Sequence, residues 1–309
     1  MKKRLAALLC AVLLLLCGCA PAQEPVATPA PTPMEGMDLS GSGVIRKKDV
    51  STLLIGAVAY DSSGNSRLTS LSVLVRDEDG KISMLTLPKD ARVWVEQYDK
   101  NGEYLYCSYG ALGSVYHAAE SAGLGAAKTV EAVSGMLGGV NIEHYVLLNT
   151  VQLQALADLA QSLMVMVEDS IPECGIQSGF QDIVPEIQDY ASYSYLNSIG
   201  GVEYSGTDPY KLQRHQQLIE VLMRVFAVKM ETMSPEEQLE YAQSICYSVT
   251  TDLTPELLLN WLGNGKPDFA DVTVAEGQHD ERLTDSYWIP ENAALKEWVL
   301  EHCYLSEEE

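Results

Sequence analysis

The run VSTLLIGAV, residues 50–58, is apolar almost without a break, the pattern of a strand buried on both faces. DSSGNSR, residues 61–67, reads as a loop, because Ser, Gly and Asn favour turn conformations. Leu71 to Val75 is a second apolar strand. The acidic tetrad Asp77-Glu78-Asp79-Gly80 is a tight connection, and Lys81 to Leu87 alternates as a third strand. Arg92 to Gln97, around Trp94, predicts another extended segment. Small residues from about Gly110 to Ser121 predict a helix, and Ala126 to Leu137 predicts a second, closed by Gly138-Gly139. HYVLLN, residues 144–149, is a buried strand, with Thr150 as N-cap of the helix VQLQALADLAQSL. Residues 170–206 are rich in Pro, Gly, Ser and Tyr and show no clear period. Asp208-Pro209 then opens a long helix with apolar positions at Leu212, Leu218, Ile219, Leu222, Val225 and Phe226. Three more helices follow, at 235–247, at 255–262 behind Thr254, and at 290–302. Strands and helices in this order predict a layered α/β/α domain around a central mixed β-sheet.

The first residues have another character. Lys2, Lys3 and Arg4 precede an apolar run from Leu5 to Cys17, which is short for a membrane span and has the layout of a secretory signal. The run ends Leu16-Cys17-Gly18-Cys19, the form of a bacterial lipoprotein signal, with Cys19 as the lipidated first residue of the mature chain. Diacyl and amide-linked chains, palmitate among them, anchor more firmly than one chain. Prolines at 21, 25, 29, 31 and 33 mark an extended tether. The expected organisation is a signal peptide at 1–18, a lipid-anchored tether at 19–43 and a single α/β domain at 44–309. The place is the outer face of the cell membrane.

Charge narrows the classes of partner. The net charge is −23, and removing residues 1–18 takes it to about −26. Such a surface repels nucleic acid and anionic polymers at long range, so no nucleic-acid partner is expected. An anion has to be held by a local basic pocket. Cys107, Cys174, Cys246 and Cys303 lack the paired spacing of a zinc site. They stand either as one or two disulfides or as buried thiols.

The stretch LTLPKDARVWV, residues 85–95, sets Lys89-Asp90 at a strand end. It is one of several segments whose order resembles the LytR-CpsA-Psr family of cell-envelope proteins. The others are LLIG with a following Arg67, YCSYGALG before a helix pair, NIEHYVLLN, KLQRHQQLI, TDLTPELLLNWL and YWIPENAALKEWVLEH, together spanning about residues 50–303. The resemblance implies an LCP-like fold and phosphoryl transfer. Arginines would hold a polyprenyl-pyrophosphate-linked glycan, and aspartates a magnesium ion. A glycan hydroxyl of peptidoglycan would attack, with polyprenyl phosphate leaving.

Position by position, this chain departs from the family. Val58 stands where the family has its first aspartate, with Asp61 three residues on. Arg67 is kept, but Thr69 replaces the next aspartate. Pro88 and Asp90 are kept, and Lys89 replaces an arginine, retaining charge without the planar fork. Tyr104 and Tyr106 stand at a lysine and an asparagine, before a retained Tyr109. A further arginine position falls near Asn197. At the late helix, Lys211 and Arg214 replace paired arginines, His215 a glutamine, and Gln216 is kept. The resemblance therefore implies phosphate binding by Arg67, Lys89, Lys211 and Arg214, with Arg67 and Lys89 nearest the chemistry. Any Mg²⁺ would fall to Asp61 and Asp90, in a relocated site.

Plainer readings stand beside these. Arg67 in a polar loop is a solvated charge, and Lys89-Asp90 is a strand-end ion pair or a turn. Lys211 and Arg214 share a helix face in the first turns, where a cation opposes the dipole, and this points to an anion partner. His215 reads as a hydrogen-bonded boundary residue, and His117 and His144 as structural. The tyrosines from Tyr190 to Tyr210 either line a carbohydrate groove or pack an irregular segment. Two functions remain in view. One is a divergent transferase moving a glycopolymer from polyprenyl pyrophosphate to peptidoglycan. The other is a non-catalytic binding or accessory lipoprotein for an envelope glycan or polyprenyl phosphate.

Overall fold

Leu53 and Ala57 face one side of β1 (Ser51–Tyr60), and Leu54 and Val58 face the other. All four are buried, so this strand needs cover on both faces. In a computed structural model of the chain, β2 (Ser66–Arg76) and β3 (Lys81–Leu87) continue from it as an antiparallel meander. The structure describes residues 39, 46–47, 49–60, 64–167, 170, 175–185, 187, 198–199, 202–203, 209–262, 266–280 and 287–305. All lie within the unit Pro31–Glu309, and Met1–Ala30 falls outside the described residues. Cys19, Asp61, Cys174 and Asn197 also fall outside them, as does most of the stretch from Tyr190 to Asp208.

A second hairpin follows, β4 (Arg92–Tyr98) with β5 (Tyr104–Ala111). A 3₁₀ turn, Leu112–Ser114, leads to α1 (Val115–Glu120) and α2 (Gly125–Met136). The chain then enters the sheet again as β6 (His144–Leu148), parallel to β1. Next come α3 (Thr150–Ala160) and the small pairs β7 (Met164–Val167) with β8 (Gly179–Asp182) and β9 (Ser198–Ile199) with β10 (Val202–Glu203). The long α4 (Pro209–Met230) and α5 (Pro235–Ser248) precede the two-residue β11 (Thr250–Thr251), α6 (Pro255–Leu262) and β12 (Asp268–Val274). A last hairpin, β13 (Gly277–Asp280) with β14 (Tyr287–Pro290), hands the chain to α7 (Asn292–Cys303).

The central sheet is mixed, in the order β11-β6-β1-β2-β3-β12. One face packs under α3, α4, α5 and α6 through Leu74, Met84, Leu156, Leu222 and Trp261. The other packs under α1, α2, α7 and the β4–β5 hairpin through Leu71, Val73, Val95, Val133 and Trp298. This is the layered α/β/α arrangement the sequence pattern predicts. Between the layers, Ser72 and Thr86 satisfy each other across neighbouring strands at 2.8 Å.

Several boundaries differ from the expectation. β2 begins at Ser66, so Arg67 lies on a strand and not in a loop. The stretch from Tyr104 to Ala111 is a strand whose exposed aromatic side chains hide the apolar alternation. β12 passed unnoticed because Asp268 and Asp271 interrupt it, at a bulge on the sheet edge. Asn149, not Thr150, caps α3. Its side chain accepts from Gln152 N at 3.0 Å, and Gln152 Oε1 accepts from Asn149 N at 2.9 Å. No helix among the described residues is long and apolar enough to cross a membrane.

The capping box carries a prediction. Asn149→Ala removes the side-chain acceptor of the Gln152 N–H, keeps the backbone donor to Gln152 Oε1, and lowers stability by about 1 kcal/mol. Urea unfolding should show an earlier midpoint with an unchanged slope.

Candidate functional site

A bulge decides what the end of the sheet presents. Ala57 pairs with Ser70 but Val58 pairs with Leu68, so Thr69 is the extra residue on β2. Thr69 Oγ1 donates to the Ala57 carbonyl at 3.4 Å, which occupies its hydroxyl. A regular strand would place Arg67 beside Leu71 and Val73, over the α1–α2 layer. The bulge reverses that parity. Arg67 now stands opposite Ala59 on the α4 side, and Ser66 opposite Tyr60 on the α1 side.

The turn after β3 reaches the same end of the sheet. Ala91 N donates to the Pro88 carbonyl at 3.0 Å and closes the turn. Gly113 N donates to the Lys89 carbonyl at 2.7 Å, and Trp288 N to the Asp90 carbonyl at 2.9 Å. A Cβ on Gly113 would lie 2.8 Å from the Leu68 carbonyl oxygen, so the 3₁₀ turn can press under Lys89 only because this residue lacks a side chain. Lys89 Nζ donates to Asp90 Oδ1 at 2.9 Å, in a half-buried pair.

Together these pieces line an open cleft of about 610 Å³, with Arg67, Thr69, Lys89, Asp90, Ser114 and His117 on its walls. Arg67 is exposed there. Lys211 and Arg214 do not line it. Lys211 is 1 % exposed on the stripe of α4 that continues through His215 to Leu218 and Leu222. Gln216 Nε2, beside them, donates to the Thr273 carbonyl of β12 at 2.7 Å. Arg67, Lys89 and Asp90 therefore line one cleft, and Lys211 and Arg214 are not among its lining residues.

One side of the cleft holds a cluster that the spacing of the sequence did not announce. Glu120, on α1, accepts from Tyr60 Oη at 3.0 Å and, in a short contact, from Ser66 Oγ. His117 Nδ1 lies 3.3 Å from Ser66 Oγ and 3.9 Å from Glu120 Oε2. The available signal was His117 and Glu120 three apart on one helix face, and it gains meaning only with Ser66 opposite. Burial first, then the hydrogen bond to Glu120 and its charge, push the Tyr60 phenol up to about 12.

The described residues do not fit a magnesium ion as the resemblance would place it. Val58 is packed in the core, Thr69 bonds a backbone carbonyl, and Asp90 is tied to Lys89. No group of three or more His, Cys, Asp or Glu among them could hold a metal. Asp61, the other expected ligand, lies outside the described residues. Cys107, Cys246 and Cys303 are free thiols. Burial pushes Cys303 up to about 11, so it is an inert core thiol.

Behind the bulge, between the sheet and α4–α6, lies an apolar cavity of about 90 Å³. Ala57 and Ser70 form part of its wall, one residue from the cleft-lining Thr69. Leu153, Leu222, Phe226 and Trp261 line the rest, and Cys246 opens onto it. A cavity that admits benzene is about 150 Å³, so a longer hydrocarbon enters only if the helices part.

No family model and no curated protein matches the sequence. Solved structures do match the fold. TagV of B. subtilis aligns at a TM-score of 0.61 and 19% identity, covering 83% of this chain and 98% of TagV. The protein gbs0355 of Streptococcus agalactiae aligns at 0.61 and 16%, covering 82% and 88%. TagT bound to LI-WTA aligns at 0.58 and 15%, covering 82% and 89%. This chain has the LCP-like α/β fold of these proteins.

Tyr60 gives a test of the cluster. Its folded-state value lies above the ordinary 10.0, so its contribution to stability is complete below pH 10 and is lost as pH rises toward 12. Glu120→Gln removes the charge but leaves the burial, so the Tyr60 midpoint should fall while staying above 10.0. NMR of ring-labelled tyrosine reads it directly.

Proposed function

We propose that this protein is a divergent LytR-CpsA-Psr-type protein of the cell envelope. In this reading it holds a lipid-borne, phosphate-linked glycan in the cleft beneath Arg67 and Lys89. The observation that carries the reading is the bulge at Thr69. It turns Arg67 toward the sheet face on which the apolar cavity lies, and the cavity-lining Ala57 and Ser70 lie close along their strands to the cleft-lining Ala59 and Thr69. A phosphate joined to a prenyl chain needs a cation and a hydrocarbon-lined space. The resemblance in sequence order and the shared fold support the same ligand class, as does the binding of LI-WTA by TagT.

Arg67 offers several donors in a planar fork, and Lys89 a point charge. Lys89 meets a phosphate only by sharing its contact with Asp90, which weakens it as a ligand. In transfer, the hydroxyl of an acceptor glycan would attack phosphorus and the bond to polyprenyl phosphate would break. The attacking hydroxyl loses a proton. Among the described residues of the cleft wall, Asp90 is engaged by Lys89, and the exposed His117 imidazole is the base that would accept it.

A second reading is favoured by Val58 and Thr69, which stand at carboxylate positions without replacing their charge. The protein would then bind the lipid-linked glycan, or polyprenyl phosphate alone, as an accessory to an active transferase. The full chain incubated with polyprenyl pyrophosphate, with and without magnesium, separates the two. Phosphate release, with water in place of the acceptor hydroxyl and polyprenyl phosphate as the other product, that is lost in Arg67→Ala establishes phosphoryl-transfer chemistry. Binding weakened about tenfold or more in Arg67→Ala, without release, establishes the carrier. Absence of both overturns the phosphate reading. Alkylating Cys246 should block binding of the prenyl chain, because that thiol opens onto the cavity.

The location belongs to the same proposal. Cys19 would carry the lipid, and the proline-rich tether would hold the domain off the outer face of the membrane, within reach of peptidoglycan. Cys19→Ala should abolish labelling by palmitate and move the protein from the membrane fraction to the soluble one.

A further inference from the structure

Ser66 lines the cleft but is 0% exposed. It lies too deep to meet a substrate, yet its hydroxyl sits between two groups that exchange protons. The bulge at Thr69 puts it on the α1 side of the sheet, opposite Tyr60. One turn of α1 brings His117 and Glu120, three residues apart, onto that side.

The hydrogens of this cluster are fixed by its donors and acceptors. Ser66 Oγ donates to Glu120 Oε2, and Tyr60 Oη donates to Glu120 Oε1 at 3.0 Å. Burial first, and then the bond to Glu120, push the Tyr60 phenol up to about 12, so it stays a donor through neutral pH. A serine hydroxyl has one proton, and here Glu120 holds it. Toward His117 Nδ1, 3.3 Å away, Ser66 Oγ can then only accept. That bond needs a hydrogen on Nδ1, and a neutral ring protonated there has its lone pair on Nε2. The two ring nitrogens point away from each other. With Nδ1 turned to Ser66 and the side chain half exposed on the cleft wall, the lone pair is directed away from the cluster.

We propose that Ser66 and Glu120 are positioning residues, which hold His117 in the tautomer whose Nε2 accepts a proton from a hydroxyl in the cleft. That use of the ring rests on the transfer reading; the tautomer does not. Free histidine favours the opposite arrangement, with its hydrogen on Nε2, where no proton can be taken up. As the acceptor O–H bond breaks, its proton goes to Nε2 and its electron pair to the new bond with phosphorus. The bond to polyprenyl phosphate breaks, and that group leaves with its pair. The imidazolium keeps its hydrogen on Nδ1 and faces Glu120 Oε2 at 3.9 Å, which stabilises the new charge. Among the described residues, His117 is the one basic side chain within ion-pair reach of Glu120. Tyr116, another titratable neighbour, is pushed up by burial and then by Glu120, and stays neutral.

The full chain carrying isotope-labelled histidine tests the tautomer with no reaction running. Long-range proton–nitrogen NMR spectra distinguish a protonated ring nitrogen from a bare one. Of the five histidines, the one whose signal is lost in His117→Asn is His117. On the neutral ring the hydrogen should be on Nδ1. Ser66→Ala combined with Glu120→Ala removes both acceptors and should move it to Nε2. A hydrogen on Nε2 in the unmutated protein overturns the proposal, whether or not the variants fold. So does a hydrogen that stays on Nδ1 in the double variant. With polyprenyl pyrophosphate, Ser66→Ala should lower kcat for phosphate release about tenfold or more and leave KM unchanged. An unchanged kcat overturns the role of Ser66. An Nδ1 hydrogen that depends on the two residues, in a protein that releases no phosphate, supports the positioning and overturns the transfer reading alone. Circular dichroism of the variants confirms that the fold is intact.

Discussion

The need of one sheet for cover on both faces organises this molecule. Leu53 and Leu54 are adjacent in β1 and both almost fully buried, on opposite sides. A sheet with such strands is stable only between two layers, and the chain supplies them from different parts of its length. α1, α2 and α7 cover one side, and α3 to α6 the other. Functional groups collect where cover stops, at the ends of β1 and β3. There the backbone turns and side chains can face solvent without opening the core.

At that end the decisive element is one additional residue. Thr69 interrupts the pairing of β1 with β2, and every side chain upstream of it changes face. Ser66 then meets Glu120 and His117, and Arg67 joins the side of the apolar cavity. The resulting positive corner is small, against a net charge of −23. It acts at short range, after a ligand has been brought in by other means.

The sequence revealed the parts whose physics is local and missed those that depend on pairing. The runs at Leu53 and Leu71 and the long helix from Pro209 were legible, since each carries its own period. β5 was not, because its aromatic residues point into solvent and break the expected alternation. The strand position of Arg67 was hidden for a related reason: Ser, Gly and Asn before it read as loop, and only β1 opposite makes it strand. Lys89 and Asp90 were correctly located at a strand end. Their mutual ion pair, and the Gly113 backbone beneath them, required the fold. Lys211, expected among the phosphate ligands, is buried on the stripe of His215 and Leu218, a position that helix periodicity also gives it.

The entry of the chain into this fold has a mechanical consequence. Arg46 pairs with Tyr304 as an isolated bridge, and Lys47 N donates to the Cys303 carbonyl at 3.0 Å. Lys47 Nζ adds a bond to the Glu301 carbonyl at 2.8 Å. A pull on the chain upstream of Arg46 is therefore passed first to the end of α7 and then to the start of β1, along the strand axis. β1 is held by β2 on one side and β6 on the other, so the load falls on two ladders in shear, with their hydrogen bonds strained together and not one by one. The cleft lies at the far end of that strand, about 30 Å away, and is the last part of the sheet to feel the tension.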